Sequence, residues 1–284
     1  MSAVATRHRG FWTPGRVVVH LVLAVVTIAT VYPILQIVAI SLRPADRLYS
    51  TSLAIIPPDA TLRAYPTLLF ERDFLLWMRN SFVVSAAVTI FGVILAATAG
   101  YAFSRFRFVG WRMGMMAFLV SQLFPATMLM LPLYVVMRQL GLLDSFMGLA
   151  VAYTATALPF CVWTMRGYYD TVPVEIEQAA LVDGCTPWQA FTRVLLPLVT
   201  PALAITALFS FMAAWSEFIV ARVILSRQSL YTLPLGLESL AGRFQTEWAN
   251  YAAGSLMVCL PVLVLFVVLN RALISGLSLG GVKS

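Results

Sequence analysis

The chain has little charge. Of its 284 residues only 11% are charged, whereas 61% are hydrophobic, and the mean hydropathy is +0.88. A soluble domain typically has about 25% charged and about 45–50% apolar residues. The composition therefore excludes an ordinary soluble enzyme, and it excludes a disordered chain, because disorder requires low hydrophobicity and high charge. The sequence predicts a polytopic membrane protein with about six or seven helical spans.

The residues that most enzymes use are also scarce. His8 and His20 are the only histidines, and the body of the chain, which a Ser-His-Asp or Cys-His site would require, has none. Cys161, Cys185 and Cys259 lack the spacing of a zinc site or a disulfide framework. No G-x-x-x-x-G-K-[ST] loop is present, so the chain does not bind ATP by that route. We expect no catalytic residue, metal or cofactor on this chain.

Six apolar runs are each long enough to cross a bilayer core of about 30 Å as a helix. They cover residues 17–42, 81–103, 113–137, 146–165, 198–221 and 251–273. We predict an all-α integral membrane domain over residues 17–273, with tails at residues 1–16 and 274–284. Its hydrophilic connections are residues 43–80, 167–197 and 222–250.

The basic residues indicate membrane topology and not nucleic-acid binding. The net charge is +7, but the arginines stand singly or in threes between apolar runs. Short loops carry most of the topology signal, and residues 104–112 contain three arginines while residues 138–145 contain one. We therefore predict a cell-membrane protein with both termini in the cytoplasm, so that residues 167–197 are cytoplasmic and the other two long connections are external.

Two features lie within the predicted spans. Gly92, Ala96 and Gly100 recur every four residues, which is typical of a face where another helix backbone approaches closely. Glu217, Trp215 and Gln122 are candidates for a solute path. A carboxylate at membrane depth faces the bundle interior or water, and a sugar is recognised by hydrogen-bonding groups set beside aromatic faces. The alternative is that Glu217 lies at the membrane surface and is simply solvated.

Residues 167–197 predict a helix, a tight turn and a second helix that leads into the fifth span. Pro173 suits a first helical turn, Gly184 suits the left-handed residue that ends a helix, and Thr186 before Pro187 suits an N-cap. Two small residues in the first helix would let it enter a groove of another protein. The alternative is a folded loop that covers the chain's own spans.

This segment resembles the EAA loop of ABC importer permeases, in which E-A-A is followed after three residues by Gly and then by an I-x-L-P-like ending. In that family the loop is the coupling helix that seats in a cleft of the ATP-hydrolysing subunit. The chain departs from the pattern at Gln178, where Glu is usual, and Glu177 lies about 100° away around the helix. Either residue is a candidate for the ATPase contact. The coupling residues implied by the resemblance are Glu175, Glu177, Gln178, Ala179, Ala180, Asp183, Gly184 and Pro197.

Three further segments resemble the carbohydrate-uptake permeases of the maltose transporter type. They are Trp77 to Ser81, Gly100 to Phe106, and Gly276 to Lys283. The resemblance implies the type I importer permease fold and import of an oligosaccharide, most closely a maltose- or trehalose-like α-glucoside. It also implies a second permease, two ATP-binding subunits that hold ATP and Mg²⁺, and an extracytoplasmic solute-binding protein.

Two contact regions follow from the same resemblance. Gly280, Gly281 and Lys283 would reach between the ATP-binding subunits. A loop formed by Gly242, Arg243, Phe244 and Gln245 would contact the solute-binding protein. The span interiors lack Lys and Arg, which favours a neutral solute. Two alternatives stay open: an ABC permease for another solute, such as glycerol phosphate or an amino acid, and an ATP-independent secondary carrier.

Overall fold

The computed structural model describes residues 14–44, 56–57, 59–242 and 246–280, and helices make up most of this part of the chain. The main helices are α1 (Pro14–Ser41), α2 (Phe74–Arg105), α3 (Trp111–Ser121), α4 (Met130–Gln139), α5 (Phe146–Tyr169), α6 (Val174–Val182), α7 (Pro187–Leu198), α8 (Thr200–Trp215), α9 (Ile219–Ile224), α10 (Leu233–Leu240) and α11 (Trp248–Gly280). Short helical turns occupy Ala64–Pro66, Thr67–Glu71, Ala126–Leu129 and Gln228–Leu230.

The helices confirm an all-α membrane domain. Among the described residues, α1, α2, α5 and α11 are each long and apolar enough to cross a bilayer. They correspond to the first, second, fourth and sixth predicted spans. The fifth prediction corresponds to α8, which follows α7 after a bend of 79°, and the pair is a fifth candidate span. The helix that contains the sixth predicted span is longer than predicted: α11 continues to Gly280 instead of ending near residue 273.

The third predicted span is interrupted and consists of two shorter helices instead of one continuous helix. Helix α3 ends at Ser121, a 3-10 turn follows Pro125, and α4 begins at Met130. Pro125 has no backbone N–H to donate, and its ring disfavours the helical conformation of the residue before it. At 1.5 Å per residue, neither α3 nor α4 reaches more than about 17 Å, so neither crosses the bilayer alone.

The centre of the bundle is the packing of α2 against α5 and α8. The small-residue face predicted on α2 is confirmed: Ala96 is fully buried, Gly92 faces Ser210 of α8, and Gly100 faces the backbone of α5 at Met165. By contrast, α1 packs against α11 and leaves most of its surface exposed. The close approach of α2 and α5 brings their ends together at the side from which α6 projects.

The other ends of α2 and α5 are hydrogen-bonded to the segment that follows α9. The Asn80 amide donates to the carbonyls of Ser229 and Tyr231, each at 3.0 Å. In the loop before α5, the Asp144 carboxylate accepts the backbone N–H groups of Ser226, at 2.6 Å, and Arg227, at 3.1 Å. These two N–H donors stabilise the charged form and lower the pKa of Asp144 below its usual value. The 226–231 segment is therefore held at both sides.

Replacing Gly100 with alanine tests the close packing of α2 on α5. The added Cβ would lie 2.8 Å from the Met165 Cβ and 3.0 Å from the Arg166 backbone nitrogen, neither of which can swing aside. We expect G100A to lower the free energy of unfolding by about 1–3 kcal/mol, measured by thermal unfolding in detergent. Gly167→Ala, in α5, is the matched control, because its Cβ would meet no atom within 4 Å. Equal midpoints for the two variants would contradict this packing.

Candidate coupling site

Residues 167–197 fold as the predicted helix–turn–helix. Helix α6 ends in a Schellman motif, in which the Cys185 N–H donates to the Ala180 carbonyl at 3.0 Å and the Gly184 N–H donates to the Leu181 carbonyl at 3.1 Å. Gly184 has a φ of +92°, a conformation that costs little only for glycine and, to a lesser degree, asparagine. The role of Gly184 as the helix-ending residue is confirmed.

The second helix also begins as the sequence predicted. The Thr186 hydroxyl accepts the Gln189 N–H at 3.3 Å, and the Gln189 side chain accepts the Thr186 N–H at 2.9 Å, which is a complete capping box. Pro187 occupies the first turn. Near its other end, α7 widens into a π-helical turn before Pro197, and the bend of 79° into α8 follows. Pro197 therefore lies where the coupling segment turns into the fifth span.

Helix α6 has an inner and an outer face. Glu177 and Ala180 are buried against the spans. The outer face is exposed and contains Glu175, Gln178, Ala179, Asp183 and Gly184. Three large apolar side chains are exposed beside it: Leu181 at 45%, Trp188 at 66% and Val182 at 87%. An apolar surface of this kind, bordered by polar residues, is typical of a protein-interaction site.

The inner face is fixed by a buried ion pair. The Arg105 Nε donates to the Glu177 carboxylate at 2.5 Å, and both side chains are only 9% exposed. Arg105 is the last residue of α2, so the pair joins the end of that span directly to the coupling helix. A second Arg105 nitrogen donates to the Val172 carbonyl at 2.9 Å. A buried arginine is tolerated when its charge is paired and its other nitrogens donate hydrogen bonds, as they do here.

Aromatic packing surrounds this pair. The Tyr101 ring, one turn before Arg105, lies 4.7 Å from the Phe191 ring of α7 and 5.9 Å from the Tyr169 ring of α5. The Tyr101 hydroxyl lies near the Glu177 carboxylate. Phe191, Tyr169 and neighbouring residues of α2 form one buried cluster. Both coupling helices are thus packed on the ends of α2 and α5.

The structure distinguishes Glu177 from Gln178, which the sequence left as equal candidates for the ATPase contact. Glu177 is bound to Arg105, whereas Gln178 is exposed on the outer face. Sequence reasoning missed the role of Arg105, which it used only as a topology signal and as part of the segment from Gly100 to Phe106. The residue that could have indicated it was Glu177 itself, because a glutamate on the inward face of a packed helix requires a cation nearby.

The three residues predicted for a solute path lie apart from this site, each bonded to a different element. The Gln122 amide is exposed and donates to the Thr156 carbonyl at 3.2 Å. Trp215 is 2% exposed and donates to the Val258 carbonyl at 3.1 Å. A solute could reach the Trp215 ring only if the helices around it separated.

Glu217 occupies the break between α8 and α9. Its carboxylate accepts the backbone N–H groups of Val220, at 3.0 Å, and Ala221, at 3.2 Å, and so begins α9. The buried hydroxyl of Tyr153 lies near the same carboxylate. Glu217 is therefore more than a solvated surface group, and its contact with solute stays a prediction.

The two predicted contact regions fall largely outside the described residues. Gly242 is described and exposed, while Arg243, Phe244 and Gln245 lie outside. Gly280 is the last residue of α11, and Gly281 and Lys283 lie outside. Their contacts with a binding protein and with ATP-binding subunits stay predictions.

A helical membrane domain with an exposed helix–turn–helix held against its spans is what the resemblance to ABC importer permeases implies, and comparison with known proteins shows the class. Residues 89–274 match the family described as "Binding-protein-dependent transport system inner membrane component". The chain is 34% identical to the diacetylchitobiose uptake system permease protein DasC of Streptomyces coelicolor, over 95% of this chain and 98% of that one. It is 35% identical to the maltose/maltodextrin transport system permease protein MalG of Escherichia coli, over 94% of this chain and 95% of that one.

A solved structure agrees with the fold. The structure of a bacterial ABC transporter involved in alginate import contains a chain that superimposes with a TM-score of 0.80, covering 92% of this chain and 98% of that chain, at 22% identity. The chain belongs to the binding-protein-dependent permease family, and within it to the carbohydrate-uptake ABC permeases. It is a multi-pass membrane subunit of a sugar importer.

Glu177→Gln tests whether the ion pair holds the coupling helix. The change keeps the side-chain volume but leaves the Arg105 charge buried and unpaired, so we expect the free energy of unfolding to fall by about 3 kcal/mol. Thermal unfolding in detergent measures this, and hydrogen exchange should increase at the amides of α6. Glu175→Gln removes the same charge from the exposed side of the same first turn and should cost less than about 1 kcal/mol, since it loses only the attraction to the positive end of the helix. If both variants unfold at the same temperature, the pair does not anchor α6.

Proposed function

We propose that this chain carries a neutral oligosaccharide across the membrane by alternating access, driven by ATP-binding subunits that close elsewhere in the complex. The observation that carries the proposal is the exposed coupling segment anchored to α2 by the Arg105–Glu177 pair. A surface loop with no partner would not need a buried charge pair to hold its orientation.

The outer face of α6 is the part that would enter a cleft of an ATP-binding subunit. Ala179 has no bulk, and Leu181 and Val182 beside it are exposed apolar side chains that docking would remove from water. Gln178 is the exposed first residue of the triplet, so its contact would be an amide hydrogen bond. On this proposal ATP and Mg²⁺ are held by the partner subunit and this chain performs no hydrolysis.

Movement of α6 would reach the spans by two routes. The Arg105–Glu177 pair connects α6 to α2, and the continuous chain through α7 connects it to α8. Because α2 also packs closely on α5 and α8, a displacement of the coupling segment would move these three helices together. The solute can favour one access state only through differential affinity for the two states.

We infer that the solute is a maltose- or trehalose-like α-glucoside. The α-glucoside is supported by the relatives whose names specify maltose/maltodextrin. The relative named for diacetylchitobiose supports only an oligosaccharide, and span interiors that lack Lys and Arg support a neutral solute. A phosphorylated or anionic solute would favour cationic groups inside the spans. A second permease, a pair of ATP-binding subunits and an extracytoplasmic solute-binding protein would complete the importer, with both termini of this chain in the cytoplasm.

Purification of the tagged chain from its native membrane tests the proposal. We expect a second permease and an ATP-binding subunit to copurify in mild detergent and to be identified by mass spectrometry. ATP hydrolysis by this complex should increase with a maltose- or trehalose-like sugar and its binding protein. Stimulation by glycerol phosphate or an amino acid would contradict the sugar assignment. A chain that purifies alone and transports after ATP depletion would favour a secondary carrier.

Gly184→Pro tests the coupling segment within that complex. Proline fixes φ near −65° and cannot donate the bond to Leu181, so the turn at φ +92° cannot form. We expect the variant to reach the membrane but to lose most of the solute-stimulated ATP hydrolysis. Gly184→Asn is the matched control, because asparagine tolerates the left-handed region and its Cβ would meet no atom of this chain within 4 Å. Normal stimulation in the proline variant would remove the coupling assignment.

A further inference from the structure

A second exposed surface follows directly after α2. Six residues line an open concavity of about 370 Å³, and we call them the 107–113 patch: Arg107, Phe108, Gly110, Trp111, Arg112 and Met113. The patch lies where two spans end, because α2 ends at Arg105 and Arg166, near the end of α5, contacts the patch from the other helix. It is separate from the outer face of α6.

The cationic groups of the patch are arranged around one indole. The Arg107 guanidinium carbon lies 4.2 Å from the centre of the Trp111 ring, and that of Arg166 lies 4.9 Å from it. The Trp111 ring is fixed in place, since its Nε1 donates to the Phe103 carbonyl at 2.7 Å. Cation–π contacts hold the guanidinium groups in position without neutralising their charge.

The charge of the patch is not balanced within the part of the chain that the structure describes. None of its six lining residues is acidic, and neither Arg107 nor Arg112 forms an ion pair with a described residue. Arg166 is paired with Asp170 at 3.5 Å, so two arginines remain available to an external anion.

Apolar side chains stand beside these arginines. Val109 is fully exposed, Met113 is 76% exposed and Phe108 is 46% exposed. A loop surrounded by water would gain nothing from exposing three large apolar residues within six positions. Arginine, tryptophan and exposed aliphatic groups together are typical of the boundary between the headgroups and the acyl chains of a bilayer.

We propose that the 107–113 patch binds the headgroup of an anionic phospholipid. Arg107 and Arg112 would donate to the phosphate oxygens, a geometry that guanidinium groups match well. Trp111 would lie at headgroup level, and Val109, Phe108 and Met113 would contact the acyl chains. Basic pockets between transmembrane helices are known to bind such headgroups. The apolar side chains favour a lipid over a soluble anion, which would use only the arginines.

Native mass spectrometry of the full chain, with the subunits that copurify with it, tests this proposal. The complex is titrated with phosphatidylglycerol and with phosphatidylcholine of the same acyl chains. We expect the unmodified chain to bind phosphatidylglycerol more tightly than phosphatidylcholine. Each arginine removed in R107A/R112A should lower this preference about fivefold. R63A/R138A removes two exposed arginines far from the patch in sequence and should keep the preference. R107K/R112K, which keeps the charge, should retain most of it.

Two results would overturn the proposal. One is equal binding of the two lipids, or a preference that R107A/R112A leaves unchanged. The other comes from a photoreactive phenylalanine derivative introduced at Val109 in native membranes, which we expect to crosslink to phospholipid. Crosslinking to an ATP-binding subunit or a second permease would show that a protein covers the patch.

Discussion

The buried pair between Arg105 and Glu177 is the interaction on which the arrangement of the coupling segment depends. Each charge alone would be costly to bury, and together they are tolerated only at short distance and with the remaining donors satisfied. The pair therefore fixes both the position of α6 along the end of α2 and its rotation. With Glu177 turned inward, the geometry of a helix places Gln178 and Ala179 on the outside, where a partner can reach them. The exposure of Gln178 and Ala179 is a consequence of the buried pair, and Ala180, the last residue of the triplet, is turned inward with Glu177.

The same constraint explains how a small exposed segment can be rigid. Helix α6 has nine residues, which is too short to be stable alone in water. Three contacts fix its orientation: the ion pair with Arg105, the Schellman turn at its C-terminal end, and the aromatic packing of Phe191 in the following helix. A helix fixed in this way can transmit a displacement of α6 to the spans, whereas a flexible loop would change conformation and leave the spans where they are.

Features that depend on neighbouring residues could be predicted from the sequence. The Gly184 turn, the Thr186 cap and the small-residue face of α2 each follow from rules that operate within a few positions.

Features that depend on distant residues could not be predicted from the sequence. Arg105 and Glu177 are 72 positions apart, and nothing in the spacing of either indicates the other. The contact of Trp215 with α11 is another example, because only the folded chain brings Val258 to it, while the role of Trp215 in a solute path stays a prediction. The break at Pro125 was missed for another reason: proline is often tolerated inside membrane helices, so its presence alone did not indicate an interruption.

Arg105 and Arg107 show why a count of charges is not a description of a site. Both lie in one short connection, and both contribute equally to the topology signal of the sequence. In the structure they are two residues apart at the end of α2 and serve different neighbours. Arg105 is buried on the Glu177 carboxylate, whereas Arg107 lies over the Trp111 ring. Because the helix ends at Arg105 and the next residue is extended, the chain direction changes between them and the two side chains separate. The position of a helix end thus decides which arginine pairs within the protein and which faces the surroundings.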